Sequence, residues 1–190
     1  MTSDAMRALR QGHPPFLRAV WADARLTAEL RFERSEFTSR IDGLLQILRL
    51  MWVSDAFAGQ VFYRGKARLQ QLGVPVLPRI LHRLAMMHSQ VCIGDPVIVE
   101  PGIYIAHGQV VVDGLTRVCT GTILFPWVTL GLKSGVLQGP TVLAHSSIGT
   151  GAKLIGPVTV GPHAVVGANS VVVDDVAEGV TVAGIPARPL

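Results

Sequence analysis

A chain of 190 residues with 49% hydrophobic content is long enough to bury a core and suits one compact unit, with room for a subdomain. Its two cysteines, Cys92 and Cys119, exclude a disulfide framework. The net charge of +4 is unevenly placed: residues 1–90 hold 13 of the 17 Lys+Arg but 7 of the 13 Asp+Glu, so the first half is basic and the remainder slightly acidic.

No nucleic-acid recognition motif or aromatic-interleaved basic cluster accompanies that charge, so nucleic acid is not an expected partner. The arginines read first as a solvated helical face and second as a surface that attracts an anionic cofactor. The apolar run 44–62 is broken by Gln46, Arg49, Ser54, Asp55 and Gln60. A bilayer span needs about 20 mostly apolar residues, so none is expected. No secretory signal is visible, and the expected location is cytoplasmic.

In chain order, residues 1–90 carry helical signals. Ile41, Leu44, Ile47, Leu48 and Met51 make an apolar stripe at helical spacing. Ser54 is placed to cap a helix that runs through Phe57, Val61, Phe62 and Leu69 to Gly73, a natural stop. Pro75 and Pro78 separate it from a further helix with the stripe Ile80, Leu81, Leu84 and Met87.

From residue 91 the period changes to six. Ile148, Leu154, Val160, Val166 and Val172 recur at that spacing, with the small residues Ala152, Ala164 and Ser170 four positions on from three of them. A period of six fits neither a helix nor an isolated strand; it marks a β-helix in which three hexads make one triangular coil. The register continues back through Val142, Leu130, Leu124, Val118 and Val112, then shifts by one residue at Ile105, Val99 and Ile93. Thus one extra residue lies between Ile105 and Val112. The segment Leu132–Pro140 loses the usual composition, although Val136 keeps the phase. About thirteen hexads give a little over four coils, above the minimum of about three repeats for a stable stack. The expected fold is α+β: an α-helical N-terminal subdomain, 1–90, followed by a left-handed parallel β-helix, 91–190.

Three segments, Ile103–Gly108 around His107, Val128–Gly131, and Gly151–Gly156 through Ala183–Arg188, make the chain resemble the serine acetyltransferases within the hexapeptide-repeat acyltransferases. The resemblance implies acetyl-CoA as co-substrate, a homotrimer with the donor in the groove between subunits, and a small-molecule hydroxyl acceptor. It also implies His107 as general base, because an alcohol needs a base within hydrogen-bond reach as it attacks a thioester. A backbone N–H near Gly131 or Leu132 would hold the oxyanion. By the same resemblance Gly131, Thr150, Ala152 and Ala168 line the donor's arm, and Lys153 or Arg188 meets a phosphate.

Several positions depart from the family. Cys92 stands where the family has the aspartate that orients the histidine, and a neutral thiol is a weak partner for an imidazolium. Ala106 replaces the aspartate next to the histidine. Gln138 and Gly139 occupy the place of an Arg-His pair that meets the amino-acid acceptor, and the Asp-Pro acceptor motif is not recognisable. The acceptor expected from this is a sugar or specialised metabolite hydroxyl rather than free serine. The alternatives are a true serine O-acetyltransferase of cysteine biosynthesis and a catalytically inactive trimeric scaffold. Asp95, Glu100 and Asp113 are not a whole coil from His107; Asp95 or Glu100 is expected to reach it only across a subunit interface. His145 and His163, eighteen residues apart, should stack on adjacent coils; solvent-facing corners are the expected reading, and no metal site is expected. Trp127 is open to two readings, a platform for an acceptor ring or a packing residue.

Overall fold

The computed structural model describes residues 3–190. Five helices come first: α1 (Ser3–Gln11), α2 (Phe16–Leu30), α3 (Arg40–Val53), α4 (Phe57–Gln71) and α5 (Leu77–Ser89). The Ser39 side chain caps α3 by accepting the Asp42 N–H. Ser54 does not cap α4 as its sequence position suggests. Its N–H closes α3 on the Leu50 carbonyl, and α4 starts after Ala56 with no side-chain cap. At the other end of α4 the Gly73 and Val74 N–H groups return to the Gln70 and Leu69 carbonyls, with Gly73 at φ 70°. That is a Schellman closure, and the positive φ explains the glycine.

The apolar stripes of α3 and α5 do not form the core the pattern predicts. Ile41, Leu44 and Leu48 on α3 and Ile80, Leu84 and Met87 on α5 are exposed, while Leu50, Ala85 and Ser89 are buried instead. The helical core is a smaller set, Val20, Ala24, Leu50 and Phe57, with Ile47 and Met51 packed at its edge.

Beyond Ser89 the chain winds as a left-handed parallel β-solenoid. Fourteen short strands lie on its three faces. The first face carries β1 (Val91–Ile93), β4 (Val110–Val112), β7 (Thr129–Gly131), β10 (Lys153–Ile155) and β13 (Val171–Val172). The second carries β2 (Ile98–Val99), β5 (Leu115–Val118), β8 (Gln138–Val142) and β11 (Thr159–Val160), extended by a bridge at Val176. The third carries β3 (Tyr104–Ile105), β6 (Ile123–Leu124), β9 (Ser147–Ile148), β12 (Val165–Val166) and β14 (Thr181–Gly184). The hexad residues Ile93, Val99, Ile105, Val112, Val118, Leu124, Leu130, Val142, Ile148, Leu154, Val160, Val166 and Val172 form one buried column-filled core. A last strand, β15 (Ala187–Pro189), turns back antiparallel on β14 and covers that end.

The stack has five coils, more than the hexad count suggests. The final coil is short: Val182 pairs with Val166 at a spacing of sixteen residues, outside the phase of six. The extra residue near His107 appears as a nineteen-residue first coil, since Val91 pairs with Val110, and the next coil returns to eighteen, Val111 with Thr129. The irregular segment is a true excursion. Thr129 pairs with Lys153 across twenty-four residues, so six residues leave the prism. Because six is one whole hexad, Val136 keeps its phase in sequence yet stands exposed on the loop.

The first coil needs a lid, because its strands present carbonyls with no coil below them. Helix α4 supplies donors. Gln60 Nε2 donates to the Ile103 carbonyl at 3.1 Å, Tyr63 Oη to Val97 O at 3.1 Å, and Lys66 Nζ to Ile93 O at 2.6 Å. Arg64 donates to the Val99 and Glu100 carbonyls and is paired with Asp23 of α2 at 2.8 Å. Asp23 in turn accepts the Gly102 and Ile103 N–H groups. The Arg64 and Asp23 side chains are 3% and 1% exposed, so these charges are not part of a wet face. The solvated reading of the basic half is corrected for Arg64 and Lys66: they bind the end of the solenoid.

Candidate active site

His107 lies at the corner between β3 and β4, where the extra residue of the first coil is accommodated. Three consecutive residues, His107, Gly108 and Gln109, have positive φ of 58°, 83° and 57°. At Gly108 a Cβ would run into the Ser89 carbonyl, so only glycine lets the corner sit against the end of α5. The Gln109 N–H donates to that same Ser89 carbonyl at 3.1 Å. This double contact fixes the loop and turns the His107 side chain outward, where it is 68% exposed.

The imidazole has a carboxylate partner. His107 Nδ1 lies 2.8 Å from Asp55 Oδ2. Asp55 occupies the junction between α3 and α4, and its own carbonyl accepts the Ser89 hydroxyl at 2.7 Å. Ser89 therefore ties the two halves of the dyad together, through its carbonyl on one side and its hydroxyl on the other. A carboxylate on Nδ1 holds the proton there and leaves Nε2 free to accept another.

Cys92 does not take this part. It sits on the outward side of β1 across from Val111, and no hydrogen bond joins it to His107. Burial pushes its thiol pKa up, and the charges that act on it are Lys66 and Asp113. The other acids near in sequence are also engaged elsewhere. Asp95 pairs with Lys66 at 2.9 Å, Glu100 with Arg117, and Asp113 with the Gly114 N–H. Asp55 was missed because it is 52 residues from His107 in sequence and belongs to no recognisable motif.

The residues proposed to meet a donor are not all placed alike. Thr150 and Ala168 are exposed at the corner that continues upward from His107, beside Gly151 and Asn169. Gly131 ends β7 and is half-buried, with room for a methyl group beside Ile155. Ala152 is different: it is fully buried among the prism residues, so its methyl faces the core and cannot line an outer groove. Lys153 Nζ donates to the Trp127 carbonyl at 2.5 Å, and Arg188 pairs with Asp174 at 3.0 Å. Each would have to exchange that partner to hold a phosphate. The small exposed side chains of this corner suit the thin arm of a thioester donor, which needs close approach to backbone.

Gln138 begins β8 with its Nε2 donating to the Leu115 carbonyl, and Gly139 is buried against Thr116. Neither offers a positive charge. His145 and His163 stack as the spacing predicts, with ring centroids 5.1 Å apart and planes within 9°. Among the described residues no group of three or more His, Cys, Asp or Glu could hold a metal ion. No described helix is long and apolar enough to cross a membrane.

No family model matches the chain. Among curated proteins it is 34% identical over 144 residues to a serine acetyltransferase of Synechococcus elongatus, which covers 74% of this chain and 59% of that protein. It is 32% identical over 118 residues to the serine acetyltransferase of Helicobacter pylori, covering 60% of this chain and 68% of that one. The chain spans roughly half of the length of the first curated relatives it matches, 59%, 53% and 41%. Among solved structures, the soybean serine acetyltransferase apoenzyme superposes with a TM-score of 0.77 at 26% identity, over 95% of this chain and 71% of that one. A serine acetyltransferase in complex with CoA superposes at 0.76 and 25% identity, over 96% and 73%. With a helical lid, a five-coil solenoid and an exposed histidine at the slipped corner, and with a relative matched over two thirds of its length, the chain belongs to the serine acetyltransferase family.

Proposed function

We propose that the protein is an acetyl-CoA-dependent O-acetyltransferase, with the His107–Asp55 dyad as its base. The observation that carries this reading is the 2.8 Å contact between His107 Nδ1 and Asp55 Oδ2, beside a corner of small exposed residues. In the reaction, His107 Nε2 takes the proton of the acceptor hydroxyl as its oxygen bonds to the thioester carbon. The tetrahedral intermediate collapses with cleavage of the carbon–sulfur bond. The departing thiolate receives the proton back from His107, which gives an acetyl ester and coenzyme A as thiol. Asp55 touches no reacting atom; it keeps the tautomer and steadies the transient imidazolium.

Free serine is the acceptor that the relatives' names support. A second reading, a sugar or metabolite hydroxyl, is favoured by one observation: Gln138 and Gly139 offer no cation for an amino-acid carboxylate. Leaving such a carboxylate unmatched in a site is costly. Assembly as a homotrimer belongs to the same proposal. Exposed Val111 and Val165 on the outer faces of the prism support it, and light scattering that gives a monomer would remove it.

The test is thiol release from acetyl-CoA with serine and with a panel of sugars, for the native protein and for His107→Ala. The variant should lose at least ~100-fold in kcat, the scale of general-base catalysis. Near-native turnover in that variant would refute the mechanism, and a native protein that binds acetyl-CoA without transfer to any acceptor would favour an inactive scaffold.

A further inference from the structure

Asp95 stands in the turn between β1 and β2, at a different corner of the first coil from His107. There the lid and the prism enclose a cavity of about 420 Å³, walled by Arg10 of α1, Gln70 of α4, the turn from Val74 to Val76, Arg79 of α5, and Asp95 itself. Its charges do not balance. Asp95 is the one carboxylate among the lining residues, and it is already paired with the buried Lys66 at 2.9 Å. Arg10 and Arg79 form no ion pair among the described residues, so two guanidinium groups stand at the cavity uncompensated. Hydrogen bonding is incomplete at the same place. Arg10 Nε and Gln70 Oε1 are buried and have no hydrogen-bond partner among the described residues. One is a donor and the other an acceptor, on different helices, and leaving either unpaired is costly. The wall between them is strained as well. Val76 has φ 66° and ψ −57°, and the Leu77 N–H closes on the Pro75 carbonyl at 2.7 Å, which makes the rare form of γ-turn. Val76 is β-branched, 66% exposed and outside the solenoid, so neither packing nor a repeated corner accounts for it.

We infer that this cavity is a binding site for a small organic oxyanion, a carboxylate or a phosphate ester, that also carries a hydroxyl. The anionic head is set by Arg10 and Arg79, since guanidinium groups take such oxygens in paired, charge-assisted hydrogen bonds. The hydroxyl is set by Gln70 Oε1, an acceptor in need of a donor. A ligand that draws the Arg10 and Gln70 side chains onto itself gives both orphaned atoms the partners that the chain does not. Val74, Val76 and Pro78 offer an apolar side for a short carbon chain, and the volume lies in the range of small-molecule sites. The ligand acts on the lid and not as a reactant, because His107 and Asp55 meet at the other corner. Helix α4 lays Gln60, Tyr63, Arg64 and Lys66 on the first coil, and Gln70 is one helical turn beyond Lys66. A ligand held jointly by α1, α4, α5 and the Asp95 corner fastens the lid to the prism and stabilises the folded protein by mass action. The site stands whether or not the acetyl-transfer reading does.

The test is thermal unfolding of the native protein with glycerate, glycerol 3-phosphate, glycerol, and sulfate at matched ionic strength. Glycerate or glycerol 3-phosphate should give a saturable rise in Tm of about 3 °C or more at roughly a hundredfold excess over its Kd. The tighter of the two names the head group. Glycerol and sulfate each lack half of the ligand and should shift Tm by less than about 1 °C. Arg79 is exposed, so Arg79→Gln should fold as the native chain does and abolish the rise. Arg10→Gln should weaken binding about tenfold or more, the scale of a lost hydrogen bond to a charged group. His107→Ala should leave the rise as it is, which separates this site from the candidate active site. No saturable rise with either organic anion, an equal rise with sulfate or glycerol, a rise that survives Arg79→Gln, or one lost in His107→Ala would each overturn the inference.

Discussion

The solenoid and its helical lid are held together by opposite means. In the prism each strand of an inner coil bonds to the coil above and the coil below, and the buried hexad residues repeat the same contact from coil to coil. In the lid the links to the prism are made once each, chiefly by individual side chains, Gln60, Tyr63, Arg64, Lys66 and Asp23, with backbone bonds where Gln109 and Val110 meet Ser89 and Gln90. Repetition makes architecture that is redundant and readable; single-copy contacts make junctions that are vulnerable and hard to read. The candidate site sits where the two meet, with His107 from the prism and Asp55 from the lid.

The largest effect should come from breaking the buried junction. Asp23→Ala leaves Arg64 charged and buried, and removes the acceptor of the Gly102 and Ile103 N–H groups. Loss of one partner of such a pair costs about 3–5 kcal/mol. Chemical denaturation should show that loss, and a change below about 1 kcal/mol would mean that the lid is not what seals the first coil.

The second effect falls on rate. Asp55→Asn keeps the size of the side chain but removes the charge that steadies the imidazolium. The two side chains are 68% and 70% exposed, so solvent screens the pair to about 1 kcal/mol or less, which corresponds to a fall of up to roughly fivefold in kcat. Cys92→Ala should leave kcat within about twofold. If Cys92→Ala were the more damaging of the two, the orienting role would return to the thiol, and the lid would have no part in the chemistry.

The smallest effect concerns pH. His13, at the start of the lid, is buried against Tyr63, and its pKa is lowered from 6.5 to about 4, chiefly by burial and then by the charges of Arg64 and Lys66. The unfolded chain therefore takes up a proton near pH 6.5 that the folded protein refuses until about pH 4. Its contribution to stability is whole above pH 6.5 and is lost as the pH falls towards 4. His13→Gln should flatten the fall in Tm between pH 7 and 4.5 by a few degrees. An unchanged slope would place the acid sensitivity elsewhere.

This contrast also accounts for what could be read from the chain. The prism was legible because Ile148 to Val172 state its period outright, and the slip after Ile105 located His107 at a corner. Two features escape the count for opposite reasons. The fifth coil is two residues short at Val182 and so leaves the phase of six, whereas the excursion after Leu132 is one hexad long and keeps it. The lid was less legible. Ile41, Leu44 and Leu48 advertise a core-facing stripe that is exposed in the single chain, while Arg64 and Lys66 look like solvent-facing charges and are buried. Asp55 was the hardest to find, since nothing local in its sequence tells that a histidine 52 residues later will close on it.

The order in which the coils are stacked has a consequence for how the protein is made. Each coil lies on the one that precedes it in sequence, and the lid that closes the first coil precedes them all. A chain emerging from the ribosome thus presents the lid, then the coil it seals, then each further coil to an edge already complete. Each coil finds its lower neighbour already formed and is completed above by the coil that follows, while β15 turns back on β14. Parallel sheets normally delay their long-range pairings until distant segments exist; here the direction of synthesis and the direction of stacking coincide.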